Sequence, residues 1–403
     1  MLKNKKYIIL FLIVFLPLFS FGQTVETDSY KFMNQENDSI TYYGHSKQDF
    51  LPLYKKFRSM IISGKQQINI LHIGDSHLQA DLFTGQARKD FQQMFIGLEG
   101  SRGMITPYLN GGPDSYRIKF SSGWNSFNLL NTNQSKNNGL WGTTAYTNNS
   151  DEKIEINVNG KNPIKYDFNS FRIYHSDLTD DDNIILEDIN VAYQKTYNKE
   201  KGYTEFNLSD YVKEVKVNIS KQSQGTFYVY GFYFNNSDAG VVYNVTGTNG
   251  VTAKSYLDAD LFLKQLATID FDMIIVSLGT NDTYEEGGEN TFSSHLTSLV
   301  ENIHRTYPTM PILLTTPTEC WWHKRKINPR QTITNEIIHN VAKQTSCAVL
   351  DLYNIMGGEN SANKMVRNKL MQKDKVHLTA KGYQIEGDLL YNAVWKEIEK
   401  NLF

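Results

Sequence analysis

The sequence predicts an α/β protein in which an all-β module interrupts a parallel, doubly wound sheet. Three observations carry this. Short apolar, strand-like runs alternate with helix-like stretches up to about residue 100. From roughly Gly100 to Asp238 helical periodicity fades and two-residue alternation replaces it. After Gly240 the strand–helix alternation resumes and continues to the C-terminus, the pattern of a sheet of about five parallel strands.

The N-terminus comes first. Met1–Lys6 is basic, Tyr7–Phe21 is almost wholly apolar, and Ser20-Phe21-Gly22 precedes the polar Gln23. Residues 1–22 therefore read as a secretory signal peptide, with an uncleaved anchor as the alternative. The apolar run is short for a membrane span and Pro17 interrupts it, so no stable membrane insertion is expected after its removal. Thr24 to about Ser46 is polar and reads as irregular. Gln48–Ile62 carries Phe50, Leu51, Leu53, Tyr54, Phe57 and Ile61 at near-helical spacing, with Pro52 suited only to a first turn.

Ile68–Ile73 then forms a strand that ends in Gly74-Asp75-Ser76, and a helix from Phe83 to about Phe95 follows. The β-rich text includes Ser115–Phe120, Lys153–Val158 with the turn-like Asn159-Gly160, Val212–Ile219 and Thr226–Phe234. Short strands divided by Asn, Gly, Ser and Asp clusters predict a sandwich. Further strands are expected at Gly240–Val245, Asp272–Gly279, Pro311–Thr316 and Cys347–Leu352. Helices are expected up to Phe271, over Phe292–Thr306 and Gln331–Lys343, and from near Thr379 almost to the end. The organisation is a signal peptide (1–22), an α/β domain in two parts (23–100 and 239–403), and an inserted β-sandwich (101–238).

Composition narrows the function classes. Lys+Arg 41 against Asp+Glu 43 leaves a net charge of −2, so nothing points to nucleic acid. Cys320 and Cys347 are the only cysteines; they suit either one disulfide or two buried thiols, and neither they nor any histidine grouping has zinc-site spacing. No metal or organic cofactor is expected.

Ser76 stands where a strand gives way to a turn, and ligands of parallel α/β sheets bind at strand carboxyl ends. A serine there needs a base, an orienting acid and an oxyanion hole to act as a nucleophile. Asp374-Lys375-Val376-His377 supplies the first two: an Asp three residues before a His can fold back onto Nδ1, leaving Nε2 to take the serine proton. Gly250 and Asn281 lie on two further strand-end loops.

These residues resemble the four blocks of the SGNH (GDSL-type) hydrolase family: Ser76 in Gly74-Asp75-Ser76, Gly250, Asn281 in Gly279-Thr280-Asn281-Asp282, and His377 with Asp374. The resemblance implies a flavodoxin-like three-layer α/β/α fold. It makes Ser76 the nucleophile, His377 the base, Asp374 its orienting acid, and Ser76, Gly250 and Asn281 the oxyanion hole. Gly247 rivals Gly250 for the glycine position. The Gly-Asp-Ser-His variant, with His77 after the serine and a β-insertion between the first two blocks, is similar to the peptidoglycan O-acetylesterase branch. In that branch the insertion resembles a jelly-roll, carbohydrate-binding-module-like sandwich. The implied activity is an exported serine esterase acting on an O-acetylated glycan, with peptidoglycan first. Acetylxylan or another polysaccharide, transfer of acetyl to a sugar hydroxyl, and a non-catalytic glycan-binding role are the alternatives.

Other residues have plainer readings. His77 reads as packing beside the serine rather than shaping an acyl pocket, His72 as a buried hydrogen-bonded histidine, and Asp75 and Asp282 as anchors of their turns. Asp351 is a rival acid at a strand end. Trp321 and Trp322 suit either sugar stacking at the rim or loop packing, and His323, Lys324 and Arg325 add charge facing an anionic glycan or solvent.

Overall fold

A computed structural model describes residues 30–161, 164–180 and 182–402; the signal-peptide assignment lies outside them. The central sheet has six strands in the order Ile40–Tyr42, Ala348–Leu350, Ile312–Thr315, Met273–Ser277, Gln67–Gly74 and Gly240–Gly247. Five run parallel. The sixth, Ile40–Tyr42, pairs antiparallel with Ala348–Leu350 and closes one edge. It falls in a stretch expected to be irregular, because three residues are too few to display a period.

Alternation along Gln67–Gly74 builds two cores at once. Ile68 and Ile70 pack with Phe50, Phe57, Phe91 and Leu390 on one side. Leu71 and Ile73 pack with Phe292, Leu296, Val300 and Ile338 on the other. Helices Ser46–Ser63, Phe83–Gln92 and Ala380–Lys400 thus cover one face, and Glu289–Thr306 and Gln331–Thr345 the other. Each fully buried aliphatic or phenyl side chain contributes roughly 1.5–3 kcal/mol by leaving water.

Pro52 lies in the second turn of Ser46–Ser63, not the first, because the helix starts two residues earlier than the apolar spacing indicates. Buried Ser46 accepts the Tyr43 N–H at 3.0 Å and sets that start. Pro52 leaves the Gln48 carbonyl without its helical donor, but both residues are exposed, so water can serve it. The run leading to Phe271 is two short helices, Ala253–Leu257 and Phe262–Leu266.

Between the strands Gln67–Gly74 and Gly240–Gly247, the chain forms a seven-stranded and a four-stranded antiparallel sheet. Ile154, Ile156, Phe171, Phe206, Val217 and Phe234 fill the space between them. A buried ionic cluster joins this β-region to the α/β core. Asp81 takes Arg88 bidentately at 2.7 and 2.9 Å, and the Ser115 hydroxyl at 2.6 Å. Burial would raise the Asp81 carboxyl, but Arg88 and Arg102 override it and hold it down at about 2. Cys320 and Cys347 are both buried free thiols.

Candidate active site

The turn after Gln67–Gly74 is built for close approach. A Cβ on Gly74 would lie 2.5 Å from Leu78 and 2.9 Å from the Ser277 carbonyl, so only glycine lets the strand end meet its neighbours. Tyr256 donates its hydroxyl to the Gly74 carbonyl at 2.6 Å. Asp75 caps the short helix Ser76–Gln79 by accepting the His77 N–H at 2.9 Å.

The last loop brings the partners. Asp374 Oδ1 accepts the N–H groups of Val376 and His377, both at 3.0 Å, while Oδ2 meets His377 Nδ1 at 2.8 Å. His377 Nε2 stands 2.8 Å from Ser76 Oγ across a separation of 301 residues. Burial would raise the Asp374 carboxyl; the Val376 N–H, His377 and the remaining bonds outweigh it and hold it below the ordinary value. A hydroxyl, an imidazole and an ionised carboxylate in this series can deliver a proton from Oγ to Nε2 while the carboxylate fixes the tautomer. All three residues are half-buried, open to a substrate.

Two strand-end loops flank Ser76. Gly250 has φ +80°, a left-handed conformation that suits glycine, in the turn closed by Val251 N–H to the Thr248 carbonyl at 3.3 Å. Asn281 Nδ2 donates to the Val251 carbonyl at 2.9 Å and to Asp75 Oδ2 at 3.3 Å, tying the three loops together. Gly247, the rival glycine, is closely packed. A Cβ there would fall 2.7 Å from Leu78 and 2.9 Å from the Asp75 carbonyl, so its bareness admits the serine turn. Asp282 accepts the N–H groups of Gly279 at 3.1 Å and Ala253 at 2.9 Å, anchoring its loop.

The remaining candidates separate cleanly. His77 lies 5.1 Å from the His377 ring and meets Tyr383 Oη at 3.0 Å through Nδ1, while its buried Nε2 has no partner among the described residues. Burial, then the proximity of His377, lowers its pKa to about 3, so the ring is neutral. His72 is fully buried between Tyr243 (2.8 Å) and Ser277 (2.6 Å). Asp351 pairs with His339 at 3.2 Å and caps the helix Leu352–Ile355 instead of meeting His377. Trp321 and Trp322 form a hairpin strand, and a cation covers each: Lys375 Nζ over Trp321 at 3.5 Å, Lys326 and Arg330 over Trp322 at 5.3 and 5.2 Å.

Sequence reasoning missed Tyr383 and Glu386, which lie one helical turn apart on Ala380–Lys400. Both face the interior near His77 and Asp75; burial raises the Glu386 carboxyl to about 8. The only signal for them was a polar pair on an otherwise apolar helix face.

Residues 223–385 match the model of the GDSL-like Lipase/Acylhydrolase family. Over that span the chain is similar to that family. The matched span begins within the β-rich region and includes Gly250, Asn281, Asp374 and His377; Ser76 lies upstream of it. No curated protein matches the sequence. The fold is similar to a solved structure described as a peptidoglycan O-acetylesterase in action: TM-score 0.74, 20% identity, covering 90% of this chain and 99% of that one. A lipase/acylhydrolase from Enterococcus faecalis matches with TM-score 0.33 and 20% identity over 39% of this chain and 77% of its own. The acetyl xylan esterase AlAXEase matches with TM-score 0.32 and 19% identity over 38% and 81%. As a GDSL-type fold the molecule has a mostly parallel sheet with an inserted all-β region. Among the described residues no helix is long and apolar enough to cross a membrane, and no group of His, Cys, Asp or Glu has metal-site geometry.

Proposed function

We propose that this chain is an exported serine esterase that removes O-acetyl groups from cell-wall polysaccharide, peptidoglycan first. The observation that carries this reading is the unbroken series Ser76 Oγ, His377 Nε2, His377 Nδ1, Asp374 Oδ2, each contact 2.8 Å. Ser76 Oγ attacks the acetyl carbonyl as His377 takes its proton. The C–O bond to the sugar then breaks, and the sugar oxygen leaves with that proton. Water, deprotonated by the same histidine, attacks the acetyl-serine; acetate departs and Ser76 regains its proton.

The negative charge that develops on the carbonyl oxygen would be held by the N–H groups of Ser76 and Gly250 and by the Asn281 amide. The amide can give up its 3.3 Å contact to Asp75 for a shorter bond to the oxyanion. Loss of one such donor typically costs about 3–4 kcal/mol of transition-state stabilisation. Residues 101–238 would form a glycan-holding module inserted between the two parts of the hydrolase domain (23–100 and 239–403), and residues 1–22 would direct export. The fold likeness to an O-acetylesterase and the basic-then-apolar N-terminus support cell-wall substrate and export respectively.

Acetate release from O-acetylated peptidoglycan and from acetylated xylan, with Ser76→Ala as control, tests the proposal. Serine-dependent release from peptidoglycan is expected. Release from xylan alone would keep the chemistry and overturn the substrate. Acetyl appearing on an acceptor sugar instead of as free acetate would make the chain a transferase.

A further inference from the structure

Beside the triad lies an open groove of about 570 Å³ lined by Tyr284, His323, Lys324, Arg325, Asp374 and Val376. One wall is the hairpin Trp321–Trp322/Lys326–Ile327, closed by the Arg325 N–H to the Trp322 carbonyl at 3.0 Å. Its two central residues, His323 and Lys324, have φ of +47° and +59°. A two-residue turn of that shape ordinarily takes Asn-Gly, and the left-handed conformation strains any residue with a Cβ. Strain of this kind persists where the surroundings hold it in place, and it clusters at functional sites.

The surroundings do hold it. His323 N–H donates to Tyr284 Oη at 2.9 Å, and its Nε2 meets Glu285 at 3.1 Å. The Trp321 N–H donates at 2.8 Å to the carbonyl of Lys375, itself at φ +60° between Asp374 and His377. The hairpin is thus bonded directly to the loop that carries the triad acid and base. Lys324 and Arg325 at its tip are exposed and have no carboxylate within ion-pair distance among the described residues. Both Trp rings next to them already have cations over them, which disfavours sugar stacking there. Asp374, the groove's own carboxylate, is occupied by His377 and two backbone N–H groups.

We infer that this groove is a subsite for a carboxylate-bearing segment of the glycan, bound by Lys324 and Arg325 next to the ester being cleaved. The inference rests on the esterase reading for its position in the reaction, and it specifies the substrate as acidic rather than neutral. Strained turn, unpaired cations and direct attachment to the triad loop all converge on that one role.

Binding is measured separately from chemistry. Full-chain Ser76→Ala protein is titrated calorimetrically with two probes: a tetrasaccharide of alternating N-acetylglucosamine and N-acetylmuramic acid, whose lactyl groups carry carboxylates, and neutral chitotetraose. Tighter binding of the acidic probe is expected, with the preference shrinking as salt rises. Adding Lys324→Ala and Arg325→Ala should weaken the acidic probe about fivefold to tenfold, whereas the charge-retaining pair Lys324→Arg and Arg325→Lys should restore its binding. Equal affinities for the two probes, or no affinity for the acidic one, overturns the inference. Acetate release by the unmodified enzyme decides the esterase reading independently.

Discussion

Two aspartates use the same local device on either side of Ser76 and end with opposite chemistry. Asp75 Oδ1 accepts the N–H two residues on, at 2.9 Å from His77, and Asp374 Oδ1 does the same at 3.0 Å from Val376. Asp75 is 1% exposed, and its second oxygen accepts the Asn281 amide at 3.3 Å. Its carboxyl is pushed up to about 7, by burial before all else. The Asp374 side chain is 37% exposed, and its second oxygen takes His377 Nδ1. Its carboxyl is held low. The same turn motif therefore supplies a structural cap in one place and an ionised partner for histidine in the other. Burial and the group facing the second oxygen make the difference.

The comparison can be tested from both sides. The largest effect should come from the shared reaction centre: Ser76→Ala should lower kcat/KM on 4-nitrophenyl acetate by about 10⁴-fold or more, with an unchanged melting temperature. Asp374→Asn should keep its backbone bonds but offer His377 the wrong partner, lowering kcat by about 10³–10⁴-fold. Asp75→Asn should cost less, about 10–100-fold. Its new amide would face the Asn281 amide donor to donor and displace a group proposed to hold the oxyanion. A loss as large as that of Asp374→Asn would undo the distinction between cap and partner.

The smallest effect is one of sign, read from melting temperature against pH. Unfolded aspartates titrate near about 3.9. The native state keeps the Asp75 proton up to about 7, so wild-type protein should lose stability relative to Asp75→Asn as pH rises from about 4 to 7. Asp374 has the opposite sign. Its lowered pKa contributes stability above the unfolded value, and that stability is lost as pH falls into the acid range. Parallel pH profiles for the two variants would show that burial does not separate them.

Much of this site was legible as local pattern. Gly74-Asp75-Ser76 follows an apolar strand, and Asp374 lies within folding-back distance of His377, so both could be read from spacing. Asp282 as a loop anchor and His72 as a buried histidine follow from side-chain chemistry and periodicity in the same way. Contact between distant segments was beyond the reach of spacing. Neither the contact of Tyr383 with His77 nor the cluster of Asp81, Arg88 and Arg102 follows from spacing, because each depends on helices and loops that meet only after folding. The edge strand Ile40–Tyr42 was invisible for the same reason: its pairing with Ala348–Leu350 defines it, not its composition.

Sequence alone determined the alternation of strands and helices, the interruption by an all-β region, and the short motifs that put reactive side chains on strand-end loops. These follow from periodicity and from bonds reaching two or three residues along the chain. Tertiary structure decided which of those side chains meet. It closed 301 residues to 2.8 Å between Ser76 and His377, packed Gly247 against Leu78 and the Asp75 carbonyl, and set cations over both tryptophans of the hairpin. Contact and electrostatic partnership between distant segments are properties of the packed whole, so no single stretch of sequence contains them.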